Sequence, residues 1–281
     1  MAHLYPAGSP ASTQRRGVAR LVALAVLASA AVSAANAQQT GSEGAGEADR
    51  REGTEWGLGL GVISKQDAYK GVKRDTMAVP VLRFENEYVE FFGLGLEVKL
   101  PSLRLGPRNR IKFGLVAKAD LGGYEAKDSP FLAGMAERKG GLWAGAKAEW
   151  ENEFVDVGAE LTGDASGHSK GRQFSLGLKK QWRLGQHTMV MPYVTAHRLD
   201  KKYVDYYYGV RDAEVTAGRA AYAGKGGVNL EIGMRTFYRF DEHHSVLLDV
   251  GITRLAKEIK ASPLVDRSRT TKVILGYVYN F

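Results

Sequence analysis

The sequence predicts an exported all-β protein whose main part is an antiparallel transmembrane β-barrel of about 12 strands, or alternatively about 10. Three observations lead to this fold: a cleavable export signal, long segments in which apolar and polar residues alternate, and a chain that ends on an aromatic residue. The expected location is the outer membrane of a Gram-negative cell, where closed barrels of this kind are found.

An export signal occupies the N-terminus. Three arginines lie between positions 15 and 20, residues 21–32 are apolar and uncharged, and Ala35 and Ala37 form a small-x-small cleavage signal. This order of features is that of a secretory signal peptide. The apolar run is too short for a transmembrane helix, which needs roughly 20 residues. We therefore predict a signal peptide over residues 1–37 that is cleaved after Ala37.

Residues 38–53 are mostly small or charged and offer almost nothing that a core could bury. They predict a disordered periplasmic leader, which leaves residues 54–281 for the barrel. The sequence contains no cysteine. Disulfides and thiolate metal sites are therefore excluded, and the fold has to be stabilised by its own packing and backbone pairing.

From residue 55 onward the hydropathy pattern has a period of two, which is typical of β-strands. Leu275, Tyr277, Tyr279 and Phe281, for example, share one face of the last segment. Most segments are longer than the five or six residues of a usual globular strand and suit a tilted membrane strand of about 9–11. The predicted strands are residues 55–63, 77–85, 88–100, 110–120, 141–151, 153–163, 172–182, 187–199, 226–240, 244–257 and 269–281.

The number of these segments is odd, whereas bacterial barrels of this kind have an even number of strands. Either residues 88–100 contain two short strands around Gly93 and Gly95, or part of 201–225 is a strand. Each alternative raises the count to about twelve.

The lengths of the links between strands orient the barrel, because outer-membrane barrels have short periplasmic turns and longer outer loops. The short links are predicted to be periplasmic, and they lie at Glu151 to Asn152, Arg183 to Gln186 and Asp241 to His243. The longer links are predicted to lie outside the cell, and they are 121–140, 164–171, 200–225 and 258–268.

Charged residues alternate with the apolar positions and are predicted to face the lumen. They could line a pore or form a network of ion pairs that fills a small barrel. We favour the network, because wide aqueous channels occur at about 16–18 strands. These residues are Lys112, Lys118, Asp120, Lys147, Glu149, Asp156, Glu160, Lys179, Glu231, Arg235, Arg239 and Asp249.

Hydrolytic barrels place a nucleophile or a water within hydrogen-bond reach of a base. The one predicted outer loop with serine, histidine and aspartate together runs from Asp164 to Lys170, and it contains Ser166, His168 and Ser169 in a flexible, glycine-flanked setting. His243 and His244 are adjacent and point to opposite faces of a strand end, so joint metal binding is not expected. The sequence therefore predicts no catalytic residue, no metal site and no cofactor, and a protein that is not an enzyme.

Basic and aromatic residues are frequent in the predicted outer loops. They could pair with lipopolysaccharide phosphates or simply be solvated, and both interpretations stay open, while membrane lipid is expected around the apolar wall. The loop residues are Lys65, Lys70, Lys73, Arg74, Arg138, Lys139, Lys170, Arg172, Lys201, Lys202 and Tyr203 to Tyr208. Nucleic acid is not an expected partner of an exported barrel.

The C-terminal pattern of Leu275, Tyr277, Tyr279 and Phe281 resembles the signal by which the barrel-assembly machinery recognises its clients. Other stretches are similar to the MipA/OmpV family, also called MltA-interacting proteins. They are Tyr69-Lys70-Gly71, Ala78 to Leu82, Asp128-Ser129-Pro130, Glu137-Arg138-Lys139, Asp205 to Val210 and Ser262 to Asp266. The resemblance extends from about Glu55 to Phe281.

The resemblance implies an outer-membrane barrel and, for the MipA branch, a non-enzymatic scaffold that brings a periplasmic murein hydrolase and a murein synthase together. It implies no catalytic motif. Other members of the family are described as adhesins. The leading hypothesis is a scaffold, and the alternatives are a small-solute channel and a surface adhesin that uses the long outer loops.

Overall fold

A computed structural model describes residues 54–281 of the chain. The predicted signal peptide, with Ala35 and Ala37, and the predicted leader over residues 38–53 lie outside the described residues. No helix within residues 54–281 is long and apolar enough to cross a membrane.

The described residues form thirteen strands in one antiparallel sheet. They are β1 (Glu55–Gln66), β2 (Asp75–Glu85), β3 (Val89–Phe92), β4 (Gly95–Gly106), β5 (Asn109–Tyr124), β6 (Arg138–Glu151), β7 (Asp156–Asp164), β8 (Arg172–Lys179), β9 (Trp182–Leu184), β10 (Thr188–Leu199), β11 (Gly227–Arg239), β12 (His244–Arg254) and β13 (Arg269–Asn280). Strands β8 and β9 both pair with β10 and are two parts of one barrel strand. Because β1 pairs with β13 and β10 pairs with β11, the result is a closed barrel of 12 strands.

The predicted segment 88–100 contains two strands, as the first of the two alternatives proposed. Strands β3 and β4 form a hairpin around Gly93, which has a left-handed φ of 60°. The other alternative was wrong, because residues 201–208 form the helix α1 (Lys201–Tyr208). Strand β4 also continues to Gly106, well past the predicted end at residue 100.

A proline explains why the predicted strand 172–182 is interrupted. Lys180 N–H donates to the carbonyl of Pro192 over 3.3 Å, but proline has no N–H with which to complete the ladder. The pairing resumes where Trp182 lies opposite Val190.

The wall has its apolar residues on the outside, as the period-two pattern predicts. Leu60 is 70% exposed and Ile232 is 60% exposed, while Leu176 and Leu230 are also exposed outward. In a globular protein such exposure would be costly, but in a bilayer these side chains contact lipid. The exposed belt is therefore the membrane-facing surface of the barrel.

One side of the lumen is filled by valines that lie over the glycines of β1. A Cβ atom at Gly59 would come within 1.8 Å of the Tyr277 carbonyl oxygen, so only glycine fits this approach of β1 to β13. Val81 and Val278 are buried beside this glycine strand. The open part of the lumen therefore lies towards the other strands.

Four loops at one end of the barrel, 67–74, 125–137, 200–226 and 255–268, fold together into what we call the cap. They are joined by backbone and side-chain hydrogen bonds, including Lys70 N–H to the Leu264 carbonyl at 2.8 Å and Ser262 Oγ to the Tyr208 carbonyl at 2.6 Å. The cap also contains a short helix, α2 (Lys257–Lys260). The opposite end of the barrel carries tight turns and Phe281, and we call it the short-turn end.

The cap has a conventional apolar core. Two clusters form it, one around Val204 and Ile259 and the other around Leu132 and Leu264, and these four residues have no exposed surface. Helix α1 begins where the Asp200 carboxylate accepts the Tyr203 N–H at 2.8 Å, which satisfies one of the free N–H groups of the first turn.

Candidate functional site

A cavity of about 580 Å³ occupies the open part of the lumen, against strands β5 to β8 and β10 to β11. Its walls are held by ion pairs between strands that are adjacent or separated by one strand. Lys118 pairs with Glu160 at 2.6 Å, and Lys179 pairs with Glu149 at 2.7 Å. Further pairs join Lys147 to Glu97, Lys112 to Glu151 and Arg235 to Asp249. The predicted network of lumen ion pairs is thus present and leaves a central space.

Glu231 is the lumen carboxylate around which several side chains gather, because three of them donate to its oxygens. Its oxygens accept from His197 Nε2 at 3.1 Å, Lys272 Nζ at 2.7 Å and Tyr193 OH at 3.1 Å. Ser175 Oγ lies 2.9 Å from the other ring nitrogen of His197. In the neutral ring, a proton on Nε2 that is donated to Glu231 leaves Nδ1 as the acceptor for the Ser175 hydroxyl. The cluster links β8, β10, β11 and β13 across the lumen wall.

A serine beside a histidine that is oriented by a carboxylate is also the arrangement of hydrolytic enzymes. Ser175, however, lies in the middle of β8, between its partners Glu160 on β7 and His197 on β10. The backbone N–H groups around it belong to the sheet ladders, so they are not free to form an oxyanion hole. Lys272 also neutralises Glu231. We therefore interpret the cluster as a clamp between strands.

The sequence analysis missed this cluster, although it had placed Glu231 among the residues that face the lumen. Ser175 and His197 are cross-strand partners, whereas Glu231 reaches them from a third strand. Whether these three side chains come into contact depends on the strand register, and a single sequence does not give the register.

The predicted outer serine and histidine loop is held together by Asp164. This carboxylate accepts the Ser166 hydroxyl at 2.5 Å and the Ser169 hydroxyl at 2.9 Å, in addition to several backbone N–H groups. His168 Nδ1 lies 2.6 Å from the Gly140 carbonyl. That contact requires a proton on Nδ1, so this nitrogen does not act as a base towards Ser166. The loop is a structural turn.

Both adjacent histidines contact the ring of Tyr279, at 5.5 Å and 5.1 Å between centroids, so they do not point to opposite faces as expected. His243 Nδ1 approaches the Asn280 carbonyl at 2.9 Å, and His244 Nδ1 approaches the Tyr277 hydroxyl at 2.5 Å. Within residues 54–281, no group of three or more potential ligands could hold a metal ion. The structure thus brings these histidines to the aromatic edge of the barrel wall.

The residues of the expected assembly signal lie together on the outer face, at the seam between β13 and β1. Phe281 is 73% exposed, and its N–H donates to the Trp56 carbonyl at 2.9 Å. Its ring contacts Tyr279 at 5.1 Å between centroids, and Tyr277 and Leu275 continue the same face. Because these side chains are exposed on the outer face of the barrel, another protein could contact them. Their role as an assembly signal stays a prediction.

The structure corrects one group of outer-loop residues. Arg138, expected among the basic residues that could meet lipopolysaccharide, is 2% exposed and pairs with Glu214 at 2.9 Å. Tyr207 of α1 is buried as well, and burial raises the pKa of Tyr203 well above its ordinary value of 10.0. These side chains are used to hold the cap together.

The family described as MltA-interacting protein MipA matches this chain over residues 58–281. The chain belongs to the MipA family. Among curated members of similar sequence, the MltA-interacting protein of Escherichia coli (strain K12) is 26% identical over 228 residues, which cover 80% of this chain and 89% of that protein. The outer membrane protein YiaT of the same strain is 22% identical over 243 residues, with 81% and 92% covered.

Among solved structures, the NanC porin is similar to this MipA-family chain, with 7% identity, 81% of this chain and 99% of that chain covered, and a TM-score of 0.39. The family places the chain in the outer membrane, and in barrels of that membrane the short turns face the periplasm.

Proposed function

We propose that this chain is a non-enzymatic scaffold of the outer membrane that binds a murein hydrolase at its periplasmic, short-turn end and brings a murein synthase to it. The observation that carries the proposal is the family match over residues 58–281, because the family's description names interaction with MltA. The described structure supports the proposal in one respect. The ion pairs of the lumen and the hydrogen bonds to Asp164 hold the barrel and its loop in fixed positions, which suits a scaffold.

A specific stable interface usually buries about 1,200–2,000 Å² in total. Tight turns alone supply little of this area. The leader over residues 38–53 can supply more by ordering on the partner, at an entropic cost that keeps the affinity modest. The leader and the short-turn end together therefore form the proposed binding surface.

The test is crosslinking and capture from intact cells, followed by binding of the purified MltA homologue of the same organism. The full chain is expected to capture the murein enzymes, and a variant without residues 38–53 is expected to assemble normally and capture them more weakly. Full capture by the deletion variant would show that the leader is a passive spacer. Absence of any murein enzyme from the full-length capture would overturn the scaffold proposal.

The second candidate function is a small-solute channel, which the cavity of about 580 Å³ favours. The cap lies over one end of the barrel, so conduction would require a path through or beside it. Bilayer conductance of the purified protein distinguishes the two functions. A steady single-channel current that increases when the cap loop 200–226 is shortened would favour the channel.

A further inference from the structure

The barrel wall is incomplete between β2 and β5 in the half that lies nearer the cap. The hairpin of β3 and β4 separates these two strands, and it ends at a turn well below the cap. At this turn the Gly93 N–H donates to the Leu82 carbonyl of β2 at 3.0 Å, and the Ala119 N–H of β5 donates to the Leu94 carbonyl at 2.9 Å. Beyond it, among the described residues, β2 pairs with β1 alone and β5 pairs with β6 alone.

The two unpaired edges, residues 75–81 and 120–124, face each other across a bounded opening. At about 3.3 Å per residue the edges run for roughly 20 Å. The Cα atoms of β2 and β5 lie more than 8 Å apart along nearly all of this stretch. The cap closes the opening from above, where Ser129 Oγ donates to the Lys70 carbonyl at 2.8 Å. We call this opening, which is bounded by β2, β5, the hairpin turn and the cap, the window.

The residues on the two edges prevent the window from closing by strand pairing. The Leu82 carbonyl points to β3, and backbone direction repeats every second residue. The nitrogen of Pro80 therefore points into the window, where a proline has no N–H to donate. On the opposite edge, Lys65 Nζ approaches the Leu121 carbonyl at 3.4 Å and gives this acceptor a side-chain donor. Proline and lysine are among the residues by which proteins protect a strand edge from pairing.

The lumen cavity reaches the window at β5. A fully paired strand presents only every second residue to a lumen, yet the consecutive residues Lys118, Ala119 and Asp120 all border the cavity of about 580 Å³. A second run of this kind, residues 177–179, lies beside the interruption at Pro192. Consecutive lining residues thus occur where the ladder is interrupted, and at the window the cavity meets the open edge of β5.

The two sides of the window differ in polarity. On the outer face its rim carries Leu82, Leu94 and Leu121, which are all exposed. On the lumen side it carries Lys118 and Asp120. Unpaired backbone groups are tolerated at membrane depth only where protein or a water-filled cavity satisfies them, and the polar lumen meets this requirement. A molecule that occupied the window would contact acyl chains on one side and charged groups on the other.

Asp120 is the carboxylate at the window that has an unused charge. It accepts the Gly122 N–H at 2.7 Å, and within residues 54–281 no lysine, arginine or histidine pairs with it. Lys118 already pairs with Glu160, but its side chain is half exposed and can accept a second anionic contact. An ammonium group beside a phosphate therefore complements this pair of positions.

We propose that the window binds a single-chain zwitterionic lipid, a lysophospholipid with an ethanolamine head group. Its ammonium group pairs with Asp120 and its phosphate contacts Lys118, while its acyl chain passes between the leucines of the rim into the bilayer. Because the window is bounded on all four sides, a lipid with one acyl chain suits it better than a lipid with two. This site goes beyond the proposed scaffold function and does not depend on it.

The first experiment asks whether the window is open. The sequence contains no cysteine, so a fluorophore can be attached to a single introduced thiol. In lipid vesicles, a label on Ala119→Cys is expected to be quenched both by aqueous iodide and by brominated lipid. Leu142→Cys is the matched control, because Leu142 is the cross-strand partner of Ala119 and is exposed on the same outer face. Brominated lipid should quench this control strongly and iodide weakly.

The second experiment measures lipid binding to the purified full chain in maltoside micelles by native mass spectrometry. The probes are palmitoyl lysophosphatidylethanolamine and palmitoyl lysophosphatidylglycerol, which share the chain and the phosphate and differ in the amine. The wild type is expected to bind the ethanolamine lipid about tenfold more tightly, as a charge-assisted hydrogen bond allows. Asp120→Asn should abolish this preference. Asp156→Asn, at the first residue of β7 near the short-turn end, should retain it.

A second variant, Ala119→Trp, places a bulky side chain at the window edge and is expected to weaken binding of both lipids, whereas Leu142→Trp should not. Heat-modifiable gel mobility verifies that each variant has assembled. If iodide quenches Ala119→Cys as weakly as the control, the window is closed and the proposal is wrong. Equal binding of the two lipids by the wild type would overturn the head-group assignment, and unchanged binding by Ala119→Trp would overturn the window as the site. None of these outcomes bears on capture of murein enzymes, so the scaffold function is tested separately.

Discussion

The barrel wall and the cap use the same apolar residue types in opposite ways. In the wall the large apolar side chains point outward, and Leu60 is 70% exposed. In the cap Leu132 and Leu264 have no exposed surface. The polar groups differ as well: charged side chains line the lumen of the wall around a cavity, whereas Arg138 and Glu214 form one buried pair within the cap.

This contrast follows from the solvent that each region meets. The wall lies in hydrocarbon, so its backbone must be satisfied by strand pairing and its outer face must be apolar. The cap lies in water, so its apolar residues gain by burial as in any globular core. A substitution should therefore have opposite consequences in the two regions, and this can be tested.

The largest effect is expected at the end of the wall. Deleting Phe281 removes the exposed aromatic residue that seals β13 against Trp56 and that the assembly machinery is expected to recognise. We expect loss of the folded, heat-modifiable band on a gel. If the variant without Phe281 assembles normally, Phe281 is not required for barrel assembly and the expected signal role is wrong.

The next effect should appear in the cap alone. Arg138→Met leaves the buried Glu214 carboxylate without its cation, and breaking such a pair costs about 3–5 kcal/mol. We expect rapid proteolysis of the loop 200–226 from intact barrels, with unchanged heat-modifiable mobility of the wall.

The double variant Arg138→Met/Glu214→Gln is the control for that experiment. It removes both charges, and the single glutamine oxygen can still accept one of the two backbone N–H groups, of Ala136 and Arg211, that donate to the two separate carboxylate oxygens. Part of the protection should return. Equal proteolysis of the single and double variants would show that the pair is not what holds the cap.

Adjacent residues of β8 test the two faces of the wall. Leu176→Arg places a charge in hydrocarbon and should cost about 2–4 kcal/mol near the bilayer midplane. Ser175→Arg should be milder, because this residue borders the polar cavity. Unfolding in urea from lipid vesicles measures both, and equal costs would contradict the assignment of the faces.

The smallest effect is the response of the cap to acid. Burial would raise the pKa of Glu214, but backbone N–H donors from Arg211 and Ala136 together with the Arg138 guanidinium lower it below its ordinary value of 4.5. A lowered pKa means that the pair stabilises the cap fully above about pH 4.5, and that this stability is lost as the pH falls through the lowered pKa. Proteolysis of the cap should therefore accelerate at acid pH in the wild type and change less in the double variant.

Individual elements show how far the sequence could be interpreted. Most of the wall was predictable strand by strand, including its inner and outer faces, because alternation is a local property, whereas the extra strand around Gly93 was only one of two alternatives. The interruption at Pro192 was not, since its effect depends on the residue that lies opposite it, Lys180. The far end of β4 was missed because Pro101 and the bulge interrupt its alternation.

By itself the sequence determined the compartment, the antiparallel barrel and the membrane-facing side of each strand, because a bilayer imposes the same rule on every strand that crosses it. Only the tertiary structure decided which distant residues meet. Strand register brings Ser175, His197 and Glu231 together, and loop packing encloses Arg138 with Glu214 across 76 positions of sequence. These contacts depend on relative positions of separate strands and loops, and a single sequence contains no local pattern that records them.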